Sequence, residues 1–258
     1  MTTPVYSVDP VRYTDRFWES TQSLRAAIDR LEFLTMLGDG TLPLEVFRTY
    51  IEQDKLYLAG YAKALSILAS RAPDAKTAAF WATSAASAVE EASLHESLLS
   101  GDALPAADGH SYHSPACLGY VSYLIAAAAT EPYPVAAAAI LPCFWVYADV
   151  AARLAPAAED EHAHRRRHFP QASGSQDLLR NDPEHPYARW VTTYDSDEFR
   201  TIVDGARILV DDAAASATEA QREAMVDAFS VATRYELMFW DSALHPTPWL
   251  RDESEVLL

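Results

Sequence analysis

Cys143 is the residue around which a reaction can most readily be built. It follows Pro142 within the apolar stretch 136–150, AAAAILPCFWVYADV, and Tyr147 stands four residues further on. At helical spacing the thiol and the phenol share one face. A proline inside a helix removes one N–H and pushes away the carbonyl four residues back, here that of Ala138, so the sequence predicts a kink beside the thiol. A thiol at a kink with a phenol one turn away is a place for covalent chemistry. An unpaired cysteine on an apolar helix is also ordinary core filling, and this stretch alone leaves both readings open.

A second set lies near the N-terminus. Tyr50, Asp54, Tyr57 and Tyr61 recur at spacings of four, three and four, so they form one stripe on the helix expected over 43–70. Three phenols around one carboxylate suit a flat polar ligand; the alternative is a solvated face with tyrosines lying over apolar neighbours. Glu91 and His95 are an i,i+4 pair, either a surface hydrogen bond or half of a metal site. Asp241 and His245 repeat the spacing, and paired carboxylate–imidazole sets of this kind serve di-iron bundles. His162, His164 and His168 offer metal ligands without fixed carboxylate or thiol support. Glu236, Phe239 and Trp240 fall close together in helical space.

The elements that must position these side chains read as helices throughout. Phe17, Leu24, Ile28 and Leu31 give residues 9–37 the period of one or two amphipathic helices. Gly38-Asp39-Gly40 ends that run, and Thr41 is expected to cap the next helix with Pro43 and Glu45 in its first turn. Further helices are expected over about 73–99, over 115–130 behind a Ser114-Pro115 start, and from there through the kinked stretch to Leu154. Another covers 185–194, one follows a Ser196 cap, and the last spans 219–244 behind a Thr218/Gln221 capping box. Residues 156–183 have no apolar period and are expected to form a long mobile loop; 245–258 carries two prolines and is expected to be irregular. There is no glycine-rich phosphate loop and no strand–helix alternation, so the chain is expected to be one all-α domain.

Composition narrows the classes of function. With 37 acidic against 20 basic residues the net charge is −17, which repels phosphate backbones and argues against nucleic-acid binding. The one basic cluster, Arg165-Arg166-Arg167, follows Glu159-Asp160-Glu161 and reads as a solvated loop. No uninterrupted apolar run has the length of a membrane span, the first twenty residues show no signal-peptide pattern, and two cysteines 26 positions apart make no disulfide framework. A cytoplasmic protein is expected.

Four stretches together resemble the TenA/thiaminase II family: GDGTLP…FRTYIEQDKLYL (38–58), Tyr120-x-x-Tyr123, LPCFWVYADV (141–150) and YELMFWDSA (235–243). HPYARWVTTYDSDEF (185–199) is a weaker fifth. The resemblance implies a haem-oxygenase-like multi-helix bundle. It also implies hydrolysis of 4-amino-5-aminomethyl-2-methylpyrimidine, a thiamin breakdown product, to the hydroxymethyl compound, with thiamin itself a further substrate of many members. Carried over residue by residue, it makes Cys143 the nucleophile, Glu236 the acid/base and Asp54 the carboxylate that engages the aminopyrimidine. Tyr57, Tyr120, Tyr147 and Phe239 line and hold the ring, and Tyr187 matches a further pocket tyrosine. The segment 156–183 reads as an insertion relative to typical members.

Such chemistry needs these residue types. Addition of a thiolate to the ring carbon removes aromaticity, after which the ring amino group expels the leaving amine. Water then adds to the exposed methylene and the thiolate departs, one hard step split into easier ones. A carboxylate must exchange protons with the ring nitrogen or the departing amine, a contribution of typically about 10²–10⁴-fold. No metal or organic cofactor is called for, the absence of a basic cage favours unphosphorylated substrates, and the family is commonly tetrameric. A metal-dependent oxidase on the same scaffold and a non-catalytic pyrimidine-binding or regulatory protein are the alternatives.

Overall fold

The computed structural model describes residues 12–100, 104, 112–154 and 186–249. Ten helices account for nearly all of them: α1 (Tyr13–Ser20), α2 (Gln22–Ile28), α3 (Glu32–Gly38), α4 (Leu44–Ser70), α5 (Ala75–Ser100), α6 (Pro115–Thr130), α7 (Tyr133–Leu154), α8 (Pro186–Tyr194), α9 (Asp197–Ala215) and α10 (Glu219–Leu244). No strand occurs among the described residues. The expected insertion 156–183, with its three histidines and arginine cluster, lies outside them, as do residues 250–258. Residues 245–249 of the expected tail are irregular, with the Trp249 indole donating to the His113 carbonyl at 3.1 Å.

Three starts follow their predicted capping chemistry. The Ser114 hydroxyl accepts from the Cys117 N–H behind Pro115, and the Ser196 hydroxyl accepts from the Phe199 N–H. Thr218 and Gln221 close a reciprocal capping box, with the Thr218 N–H reaching Gln221 Oε1 at 2.9 Å. Asp74, just after Pro73, anchors α5 by accepting from the Thr77 N–H at 2.9 Å.

Two expectations are corrected. Residues 9–37 do not form one or two helices; the described part forms three short ones. The Thr21 hydroxyl bonds back to the Phe17 carbonyl at 3.1 Å, competing with the backbone ladder at the α1–α2 break. Leu31 is extended before α3. Thr41 does not cap α4 either. Its N–H closes the end of α3 on the Met36 carbonyl at 2.9 Å, through a turn in which Gly40 takes φ 68°, and Pro43 stands at the N-cap without a side-chain bond.

The long helices carry the core. α4 packs along α5 and α6, while α7 packs on α10 and α9. α7 is apolar and long enough to cross a bilayer, yet 72% of its most apolar window is buried among its neighbours. Its residues Val135–Pro142 are all buried, the four alanines among them letting other helices approach closely. Gly60 does the same for α4: a Cβ there would lie 2.3 Å from Val121 Cγ1 on α6.

Candidate active site

A cavity of about 250 Å³ opens between α4, α5, α7, α8 and α9. Its size suits a single small heterocycle, near the lower end for ligand sites. α4 contributes Asp54, Tyr57 and Tyr61; α7 contributes Cys143, Phe144 and Tyr147; α8 contributes Tyr194. The side along α5 runs Phe80, Thr83, Ser84, Ser87, Ala88 and Glu91, a face of one helix made mostly of small residues. Cys143 keeps some accessible surface while Leu141, Pro142 and Phe144 around it are buried, because its side chain faces this space.

The tyrosine stripe of α4 is buried, which removes the solvated-face reading. Tyr50 and Tyr57 are 0% and 1% exposed, and Asp54 only 1%. The Tyr50 and Tyr147 hydroxyls lie 3.3 Å apart, and the Trp190 indole donates to Tyr50 at 3.1 Å. The Tyr61 hydroxyl donates to the Ile140 carbonyl at 3.1 Å, tying α4 to α7 just before Pro142. Tyr57 and Tyr61 stack at 5.5 Å and 16°.

Behind the Tyr57 ring lie Tyr120, 4.9 Å away, and Phe239, 5.4 Å away between centroids. The Tyr120 hydroxyl donates to Glu236 Oε1 at 2.6 Å. Glu236 is fully buried, and its Oε2 has no hydrogen-bond partner among the described residues. Thus Asp54, Tyr57, Cys143 and Tyr147 share the cavity wall, with Glu236, Tyr120 and Phe239 in the layer behind it.

Tyr187 is placed elsewhere. It is buried against Phe47, ring centroids 4.7 Å apart, with its hydroxyl donating to the Leu42 carbonyl, and it does not line the cavity. The tyrosine that does so from α8 is Tyr194, which the sequence reading passed over. The two are seven residues apart, so helical periodicity puts them on nearly the same face about 10 Å apart along the axis. Spacing alone had no means of choosing between them.

Glu91 is the second residue the sequence reading undervalued. The Tyr194 hydroxyl donates to its Oε1, and His95 Nδ1 lies 3.4 Å from Asp54 Oδ2. Donor atoms of Asp54, Glu91 and His95 all lie within 4.8 Å of one another, a set that could hold a metal ion. The other i,i+4 pair, Asp241 and His245, is exposed, its members 3.0 Å apart with Glu32 nearby, and is not part of that cluster.

Burial governs the protonation of the site. Removal from water pushes the Glu236 carboxyl up to about 8, with the Tyr120 hydrogen bond opposing. Desolvation lifts Asp54 well above the carboxylate range, reinforced by Glu91 and Glu236 and opposed by Tyr50. Glu91 is also raised by burial, with Tyr194 opposing. The Cys143 thiol is raised well above its ordinary value, first by desolvation and then by Glu236, while Tyr57 acts in the other direction. Each of these shifts favours the uncharged thiol and the uncharged carboxyl in the resting site.

The model of the TENA/THI-4/PQQC family matches residues 21–245. The chain is 37% identical over 232 residues to the thiamine biosynthesis multifunctional protein ThiED of Corynebacterium efficiens, covering 90% of this chain but only 28% of that protein. It is 30% identical over 220 residues to the aminopyrimidine aminohydrolase of Bacillus subtilis, covering 84% of this chain and 83% of that one. Among solved structures, a TenA homologue from P. horikoshii OT3 superposes with a TM-score of 0.74 at 26% identity, over 91% of this chain and 99% of the other. A domain with a heme oxygenase-like fold from Shewanella denitrificans gives 0.61 at 13% identity, over 92% and 94%, and bears on the fold alone.

Proposed function

The chain belongs to the TENA/THI-4/PQQC family, and from that premise we propose that it is an aminopyrimidine aminohydrolase of thiamin salvage. It hydrolyses the C–N bond at the exocyclic methylene of 4-amino-5-aminomethyl-2-methylpyrimidine through Cys143, with thiamin as a further substrate. The observation that carries this reading is the convergence of the Cys143 thiol, the Asp54 carboxylate and a tyrosine wall on one heterocycle-sized cavity, with Glu236 one side chain behind.

In this reading Asp54 holds the ring's amino group, Tyr57 and Tyr147 enclose the ring, and Phe239 backs the Tyr57 wall. Tyr120 orients Glu236. Protonated at neutral pH, Glu236 can offer a proton from its otherwise unbonded Oε2 to a ring nitrogen or to the departing amine. The thiol must lose its proton when substrate is bound, because a thiolate among three acids is unfavourable in the free protein. Cys143→Ser is expected to abolish release of the hydroxymethyl pyrimidine with an unchanged far-UV spectrum. Turnover near the wild-type rate in that folded variant rules out the nucleophile.

The protein assembles as a homotetramer in the cytoplasm, free of nucleic acid and membrane. The resemblance, the charge of −17 and the exposed apolar side chains Val89, Leu94, Leu118 and Met238 support this. Light scattering on the eluted protein tests the subunit number. A second reading draws on the Asp54, Glu91 and His95 donors: a metal-dependent oxidase. Metal analysis of purified protein separates the two, since stoichiometric iron or manganese is expected only of the oxidase.

A further inference from the structure

Of the two acids that line the cavity, Glu91 is the one the hydrolase reading leaves without a role. We propose that Glu91 is a specificity-determining residue, its carboxylate selecting ligands whose side arm carries a protonated amine over ligands whose arm is neutral. The inference rests on the aminopyrimidine reading for the identity of the ring.

The cavity lining contains two acids, Asp54 and Glu91, and no lysine or arginine; the basic group beside them is His95, its Nδ1 3.4 Å from Asp54 Oδ2. Glu236 adds a third acid behind Tyr57. Charges of one sign in a space walled by aromatic rings cannot all persist unless a cation joins them, because little water remains to solvate them. The three acids are not equivalent. Asp54 and Glu236 are 1% and 0% exposed, and both are driven strongly toward the neutral acid. Burial raises Glu91 as well, but its side chain keeps partial contact with the cavity space and accepts a hydrogen bond from Tyr194, which acts in the opposite direction. It is therefore the acid that a cationic arm entering the cavity reaches most directly.

Space and polarity agree with that role. Next to Glu91 on α5, the lining side chains are Ala88, Ser87, Ser84 and Thr83, small groups that leave room for a substituent projecting from a ring held against Tyr57. An aminomethyl arm is a primary amine on a saturated carbon and is protonated at neutral pH. A hydroxymethyl arm of the same size carries no charge. A carboxylate in a low-dielectric cavity separates the two by charge-assisted attraction without touching the ring.

The test is equilibrium binding by calorimetry in a Cys143→Ser background, where no turnover disturbs the titration. The probes are the aminomethyl pyrimidine and its hydroxymethyl counterpart. The parent is expected to prefer the cationic arm by about tenfold or more, and Glu91→Gln to narrow that preference to about twofold, chiefly by weakening the aminomethyl ligand. Glu91→Asp, which keeps the charge, is expected to restore most of it, and Glu91→Ala substitutes for the glutamine should that variant not fold. A parent without preference, a preference unchanged in Glu91→Gln, or equal weakening of both ligands overturns the proposal. The preference measured alongside a wild-type protein that hydrolyses neither compound supports the role of Glu91 while counting against the hydrolase.

Discussion

Set among three acids, the Cys143 thiolate is opposed both by desolvation and by repulsion from Glu236, so the free thiol is expected to react slowly with iodoacetamide at pH 7. Above pH 8, where Glu236 itself ionises, Glu236→Gln is expected to raise the alkylation rate several-fold by removing that neighbouring charge. Mass-spectrometric counting of modified Cys143 over time measures both; equal rates in the two proteins would show that the carboxylate does not act on the sulfur. The α8 tyrosines divide in a similar way. Tyr194→Phe removes a hydroxyl from the cavity wall together with the donor to Glu91 Oε1, and is expected to lower kcat/KM by about a factor of ten as well as stability. Tyr187→Phe leaves the Leu42 carbonyl without that donor and is expected to cost about 1–2 kcal/mol of stability with near-normal kinetics. Kinetics and denaturant melts on the pair distinguish them.

At the scale of elements, the site depends on how closely α4 can approach its neighbours. Gly60 lies one residue before Tyr61 and three after Tyr57, and an added Cβ would meet Val121 at Cγ1 2.3 Å, Cγ2 2.9 Å and Cβ 3.2 Å. A β-branched side chain on a packed helix has little freedom to withdraw. Gly60→Ala is therefore expected to destabilise the fold by about 1–3 kcal/mol despite the better helix propensity of alanine. Val121→Ala in the same chain is expected to recover part of the loss, which a urea melt of the three variants reads directly. On the other side of the cavity Pro142 leaves a helical N–H missing beside Cys143, while the Tyr61 hydroxyl bonds the Ile140 carbonyl within the same turn.

For the molecule as a whole, the buried acids set how stability varies with pH. Glu236 is raised in the folded state, from 4.5 to about 8. Its contribution is complete below the unfolded-state value and is lost as pH rises through the folded one. The upper bound for this one group is roughly 5 kcal/mol, and the raised Asp54 and Glu91 act with the same sign. The melting temperature is expected to fall between pH 5 and pH 8.5, and to fall less in Glu236→Gln. A steeper decline in the variant would contradict the assignment. The stability conceded by keeping three acids in the core is a common cost of an active site.

The sequence alone determined the helical class, the limits of most long helices and the capping of α6, α9 and α10, because these follow from apolar period and local side-chain chemistry. It also singled out Cys143, Asp54 and Glu236 through their resemblance to known motifs, and it put Tyr50, Asp54, Tyr57 and Tyr61 on one stripe. It could not say whether that stripe met water or the core, nor choose between Tyr187 and Tyr194, which share a helix face. The break at Thr21 and the use of Thr41 to close α3 were equally out of reach, since both turn on competition between alternative local hydrogen bonds. Only the packing of α5 and α8 against α4 and α7 brought Glu91 and Tyr194 to the thiol. Periodicity fixes the direction of a side chain about its own helix axis, whereas the depth at which two helices cross depends on every residue between them.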